Sequence, residues 1–214
     1  MSTPAQTLVL GDKEIAVREQ PLAADVTQTP VATRRLAVEF AGAAIFAAFT
    51  ALGARVQVHL PFTPIPVTGQ VFCVLLAGAA LGARLGFVSQ VQYLAAGAAG
   101  LPVFAHGGGP AALLGPTGGY LIGFPLAAAA TGALCARLGR RGRTGIFAGC
   151  LAGVAVIHLF GAAWYAGWSA LIGTGAGLLG VLAQSVLPFA AIDAAKAAAA
   201  ATLVPSLRRR LPLG

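Results

Sequence analysis

An all-α integral membrane protein is the fold class this sequence predicts: a bundle of six transmembrane helices with a ligand cavity at its outer face. Three observations predict it. First, the chain of 214 residues is 57% hydrophobic and only 9% charged, with a mean hydropathy of +0.83. Soluble domains carry about a quarter charged residues. Second, the apolar runs are continuous and rich in Ala and Leu, without the alternation of transmembrane barrel strands. Third, the segments LPFTPIPVTGQ, QYLAAGAAGLPVF and GPTGGYLIGFP, between Leu60 and Pro125, place Pro, Gly, Thr and Gln at the ends of apolar runs. Lipid tolerates irregular backbone only where protein buries it or a watery cavity hydrates it. Three such segments close together predict a lined pocket at one membrane face.

The elements follow in order. Residues 1–33 are polar and carry no early apolar core, so a cleavable signal peptide does not fit. They are expected to form a poorly ordered cytoplasmic tail, in which TLVLGDKEIAV can pair as a strand. Residues 34–210 form the six-helix membrane domain. Its first span covers about Leu36–Val58, and Pro61, Pro64 and Pro66 then force an extended loop. The second and third spans, about Val67–Leu81 and Gly86–Leu101, fall short of the usual ~20 residues. They are expected to sit inside the bundle. Pro102 ends the third, and HGGGP with GPTGG makes a Gly-rich loop. The fourth span is about Gly118–Leu138, closed by the basic loop RLGRRGR. The fifth is about Thr144–Ala166, with Trp164, Tyr165 and Trp168 at its end as an interfacial aromatic belt. The last region has two readings. One is a single helix from Gly175 to Pro205, kinked at Pro188. The other, which is preferred, starts the sixth span at Pro188, because Pro suits a first helical turn, and leaves 169–186 as a short re-entrant or interfacial segment.

Charge orients the bundle. The net charge is +8, yet residues 1–33 hold four acids and two bases while the rest holds twelve bases and two acids. Six spans put both termini on one side. Arg34 and Arg35, Arg84, the Arg137–Arg143 loop and Arg208–Arg210 then share that side. The opposite loops have no Lys or Arg apart from the nearby Arg55. The positive-inside rule makes the basic side cytoplasmic and the Gly- and Pro-rich loops external.

Several function classes are disfavoured. The bases bracket apolar spans and do not line one face, so the pI near 10.5 does not indicate nucleic acid. Cys73, Cys135 and Cys150 are isolated and read as small buried hydrophobes. His59, His106 and His158 are scattered, and no HExxH, CxxC or carboxylate cluster supports a metal site. There is no GxxxxGK[ST] and no GxSxG, so neither an ATPase nor a serine hydrolase is indicated, and no cofactor is expected. Pumping against a gradient would need a partner or an ion couple.

Asp193 and Lys196 are the central pair. They are the only acid and the only Lys in the last 130 residues. Intramembrane ionisable residues are functional candidates, and spacing i, i+3 puts them on one helix face. Asp193 would lie roughly 8 Å below the outer end of a helix starting at Pro188. The other reading is a mutually neutralised pair that holds helices together. Gln70, Gln92, Tyr93 and Tyr120 flank the same outer loops, although Gln can satisfy a loop carbonyl and Tyr is common at interfaces. Together these groups suit a small ligand with an apolar body and a few polar edges. An integral membrane enzyme using Asp193 as acid–base group is the competing class, but no second carboxylate or nucleophile–base pair accompanies it. Small residues recur at four-residue spacing in the first span, as Ala43-Ala47-Ala51 and Ala44-Ala48, and such faces allow close helix packing.

The chain resembles the BioY family, the biotin-specific S components of energy-coupling factor (ECF) transporters. The carrying segments are LPFTPIPVTGQ, LLAGAALGARLG, QYLAAGAAGLPVF, GPTGGYLIGFP and PFAAIDAAK, spanning about residues 36–205. The resemblance implies a six-helix S component in the cytoplasmic (inner) membrane that captures biotin from outside and is not an enzyme. It implies a transmembrane T component and two cytosolic ATPases as partners. It matches Asp193 and Lys196 to the polar pair of the last helix, and Ala43, Ala47 and Ala51 to the T-component docking face. The loop after the first helix, with Thr63, would close the cavity, and His106 falls where a basic residue serves the ligand carboxylate. Another vitamin's S component on the same scaffold is the alternative. The chain reads PFAAID where the family pattern is PFLPGD, lacking the second Pro and the Gly.

Overall fold

The computed structural model describes residues 7–10, 13–16, 29–175 and 177–210, with side chains from residue 33 onward. The chain divides into two units, Met1–Ala37 and Val38–Gly214. In the first, β1 (Thr7–Leu10) and β2 (Lys13–Ala16) pair antiparallel, Thr7 opposite Ala16 and Leu10 opposite Lys13. The strand pairing that the sequence allowed for TLVLGDKEIAV is present in these residues. The rest of the tail, up to Gln28, lies outside the described residues. Helix α1 (Thr29–Arg55) begins ahead of the expected Leu36. Pro30 stands in its first turn, where a missing N–H costs nothing.

In the second unit, α1 ends in a loop closed by β3 (Gln57–Val58) and β4 (Val67–Thr68), with Gln57 opposite Thr68. The Gly69 N–H adds bonds to the carbonyls of Val56 (2.9 Å) and Gly53 (3.0 Å). Helix α2 (Gln70–Ala98) follows, and it is not straight. Gly82 has φ 83° and ψ 177°, a conformation essentially confined to glycine. The chain reverses there. A Cβ on Gly86 would lie 2.8 Å from the Cα of Gly78, so the arms 70–81 and 83–98 run side by side. At 1.5 Å per residue the arms are roughly 18 and 24 Å long, shorter than a ~30 Å hydrocarbon core.

The reversal strands the last carbonyls of the first arm. Arg208 takes one of them, donating to the Ala79 carbonyl from Nε (2.8 Å) and Nη2 (2.6 Å). Gln90 on the second arm donates to Thr50 of α1 at 3.2 Å and pins the two helices together.

The Gly-rich loop contains a short helix, α3 (Pro110–Leu114), which its glycines had hidden. Helix α4 (Gly118–Leu138) falls on the expected bounds, and the basic loop is a 3-10 turn, Gly139–Arg141. Helix α5 (Arg143–Leu171) is longer than expected. It is followed by α6 (Leu178–Ser185) and α7 (Leu187–Arg208), separated by a break at Val186 (φ −127°, ψ −59°). Pro188 therefore stands in a first helical turn, but 169–186 is not one segment. Its first residues extend α5, and α6 is a separate helix abutting α7.

The aromatic trio at the end of α5 also makes specific contacts with the loops. Trp164 donates to the Gly115 carbonyl (2.9 Å), and Tyr165, buried, donates to Gln184 Oε1 (2.7 Å). Trp168 stacks on Tyr165. These rings brace the loops from within.

Five stretches among the described residues are long and apolar enough to cross a membrane: Thr33–Arg55, Gln70–Ala98, Gly118–Arg141, Arg143–Leu171 and Leu178–Arg208. The expected six differ from these because the second stretch is folded back at Gly82. The first arm of α2 packs on α4, α4 on α5, and α7 on both α5 and α2. The core between them is made of small and branched side chains, among them Val74, Ala77, Ala128, Ile157, Ala197 and Val204, all fully buried. Ile45, Leu52, Leu126, Leu159 and Leu203 remain exposed on the outside. Apolar surface on that scale fits contact with lipid.

Candidate functional site

The cavity lies at the end of the bundle away from Gly82 and Arg208. The first turns of α2 and α4 (Gln70, Tyr120), the second and third turns of α7 (Asp193, Lys196) and His158 of α5 surround it. The loop segments Ile65–Thr68 and 104–106 close its sides. The space between the walls is about 600 Å³ with the open mouth counted. It is a narrow slot. Its walls are apolar, with Phe104, Leu121, Phe124 and Phe189 facing the space.

Its floor is polar. Asp193 is 2% exposed. Its Oδ1 accepts from Lys196 Nζ at 2.7 Å, and its Oδ2 lies 3.1 Å from His158 Nε2. A buried carboxylate needs such partners, because an unpaired charge in a dry site is strongly disfavoured. Each carboxylate oxygen keeps acceptor capacity beyond the one neighbour shown.

Gln70 also lines the cavity. Its Nε2 donates to Tyr93 Oη at 2.5 Å, and that hydroxyl donates to the Val103 carbonyl at 3.2 Å. Tyr93 thus stands behind Gln70 and orients it, outside the lining. Tyr120 lines the cavity with its ring, while its hydroxyl donates to the Ser185 carbonyl, freed where α6 ends. His106 is at the mouth, its ring 5.9 Å from that of His59. Burial, and then His59, hold the His106 imidazole below the ordinary histidine range.

Of the residues expected from sequence, Asp193, Lys196, Gln70, Tyr120 and His106 come together, and Tyr93, Gln92 and Thr63 do not line the space. Gln92 stands apart, its Oε1 buried without a hydrogen-bond partner among the described residues. Thr63 instead fastens the loop. It donates to the Gln184 carbonyl at 2.7 Å and accepts from the Ile65 N–H at 3.2 Å. The residues expected to form a docking face are placed unevenly on α1. Ala43 and Ala47 are buried within the protein and Ala51 is half-buried, whereas Ala44 and Ala48 are exposed. Sequence reasoning missed His158, Phe104, Thr117 and Phe189. For His158 the signal was present: it is a lone ionisable residue in an apolar run, the same feature that singled out Asp193.

The BioY family model matches residues 24–213. The chain belongs to the BioY family. The BioY protein of Pyrococcus horikoshii is 42% identical over 166 residues, covering 77% of this chain and 93% of the relative. A "Biotin transporter BioY" of Rhizobium etli is 38% identical over 132 residues, covering 58% of this chain and 71% of that one. A crystal structure of the S-component for biotin from an ECF-type ABC transporter superposes with a TM-score of 0.73 at 28% identity, over 83% of this chain and 94% of that one. The fold of this BioY-family chain is therefore the S-component fold, that of a multi-pass membrane protein. Its polar floor sits where two ionisable residues of α7 meet one of α5.

Proposed function

We propose that this chain is the biotin-capturing S component of an ECF transporter, and that the cavity floored by Asp193 is its biotin site. The observation that carries the reading is a buried carboxylate, partnered by an ammonium and an imidazole, at the bottom of a narrow apolar slot in a BioY-family chain. Biotin has a compact ureido head with two N–H donors and one carbonyl acceptor. Asp193 accepts from the N–H groups and Lys196 donates to an oxygen. The thioether ring and aliphatic chain fit between Phe104, Phe124 and Phe189. The carboxylate then reaches the mouth at His106, and Gln70 adds an amide to the side wall.

The same reading sets the topology. The two short arms of α2 make two passes, giving six in all. Arg84, the Arg137–Arg143 turn and Arg208–Arg210 share the end opposite the cavity, so that end is cytoplasmic and the cavity opens outward. Both termini are then cytoplasmic. The chain has no nucleotide motif, so uptake depends on a transmembrane T component and two cytosolic ATPases. Ala44 and Ala48 on the exposed side of α1 offer that T component a close-packing face.

The test is equilibrium binding of labelled biotin to the purified chain in detergent, competed with a panel of other vitamins. Saturable binding displaced by biotin alone supports the reading. No biotin binding, with saturable binding of a different labelled vitamin, reassigns the substrate.

A further inference from the structure

We propose that His158 is a ligand-contacting residue, and that with Asp193 and Lys196 it makes the floor selective for an uncharged head group carrying both donors and an acceptor. This rests on the reading of the cavity as the biotin site. His158 is 8% exposed and lines the cavity. Neither of its ring nitrogens has a hydrogen bond among the described residues. Nε2 is within reach of Asp193 Oδ2 at 3.1 Å, but out of line with it. Buried polar groups are nearly always paired, and each exception asks for a partner that is not yet there.

Ring packing and the close approach of Nε2 to Asp193 hold this side chain. Tyr120 meets it edge-on at 6.4 Å and Phe189 lies across it at 6.5 Å. A histidine serving only to brace α5 against α7 would have spent its nitrogens on the bundle. Here Asp193 comes within reach of Nε2, and Nδ1 has no partner among the described residues. Neutral imidazole offers one donor and one acceptor. With Nε2 beside Asp193, Nδ1 is the nitrogen left over for a ligand bond.

The charges select the head group. Asp193 and Lys196 form a 2.7 Å ion pair, so their opposite charges offset each other on the floor. A charged head would bring an uncompensated charge into a buried site. A cyclic urea or amide brings none, and it meets an acceptor carboxylate, a donor ammonium and an imidazole that can do either.

The experiment uses the full chain in detergent or nanodiscs, with labelled biotin, the guanidinium analogue of biotin, and the variants His158→Leu, His158→Gln and Asp193→Asn. His158→Leu should weaken biotin binding about tenfold, as expected for a buried ligand bond lost. His158→Gln should stay within about threefold of wild type, because it keeps a donor and an acceptor. Wild type should disfavour the cationic analogue. Folding of each variant is read from its thermal unfolding midpoint. If His158→Leu does not fold, histidine-selective nitrogen NMR of the wild type decides, with signals assigned from His59→Asn and His106→Asn. The His158 signals should move on saturation with biotin, and unmoved signals overturn the proposal. A folded His158→Leu that binds within twofold of wild type overturns it too, and equal affinity for the analogue overturns the selectivity. Binding that Asp193→Asn abolishes and His158→Leu leaves intact sinks this inference alone. Absence of any biotin binding by folded wild type overturns the parent reading and this one with it.

Discussion

Gln70 and Tyr93 stand 23 residues apart in one apolar stretch, and their side chains share a 2.5 Å hydrogen bond. An unbroken helix would hold them about 35 Å apart. The reversal at Gly82 brings them together, and with them the start of the first arm and the loop after the second. The cavity depends on that fold-back. Gln70 lines it from the first arm, and Phe104 lines it from the loop that the second arm delivers.

Gly82→Ala therefore tests the hairpin. A Cβ at this position meets nothing within 4 Å, so the variant introduces backbone strain without a clash. The cost is about 1–3 kcal/mol. The expected outcome is a lower thermal unfolding midpoint in detergent, with the packing of Gly86 against Gly78 untouched because the strain is confined to one residue's φ. An unchanged midpoint would mean that the arms do not turn where the structure places the turn.

The loop between α1 and α2 forms one wall of the slot, and Thr63 ties it to the end of α6 through the Gln184 carbonyl. Thr63→Val keeps the shape and removes both hydroxyl bonds. At about 0.5–1.5 kcal/mol for each bond, ligand dissociation should speed up roughly tenfold while association changes little, and Thr63→Ser should restore retention. Stopped-flow release of labelled biotin reads this directly. Equal dissociation rates for Thr63→Val and wild type would remove the loop from any role in holding ligand.

His106 gives the binding a pH signature. Burial and His59 hold its imidazole below the ordinary histidine range, so near neutral pH it is uncharged in the empty protein. As pH falls below about 6.5 it gains the charge that a ligand carboxylate at the mouth would meet. Biotin affinity should rise on acidification through that window, and the affinity of biotin amide should stay flat. For folding the sign is reversed: the unfolded chain takes up this proton more readily, so His106 subtracts stability as pH falls. Parallel pH profiles for the acid and the amide would contradict the assignment.

Much of this was legible in the sequence, and the illegible part has physical causes. Asp193 and Lys196 stood out because an ionisable pair in an Ala-rich run is costly without a use. The Gly82 reversal was visible only as a gap between two short apolar runs, since a positive φ leaves no trace beyond the glycine itself. Ala43 and Ala44 could not be ranked as the open face, because α1 carries Ala all round and lipid offers no polar side to orient it. The hydroxyl of Tyr120 was expected in the cavity, but it serves the carbonyl of Ser185, which is free because the chain breaks at Val186.

The central claim is that the carboxylate of Asp193 binds the ligand's head group. The most direct measurement is an equilibrium titration of labelled biotin against the wild-type chain and Asp193→Asn, purified alone and matched for thermal unfolding midpoint. Removing an ionic acceptor from a buried site should weaken binding at least about a hundredfold, the loss of a charge-assisted bond together with an unpaired Lys196. A folded Asp193→Asn that binds biotin as wild type does would contradict the account.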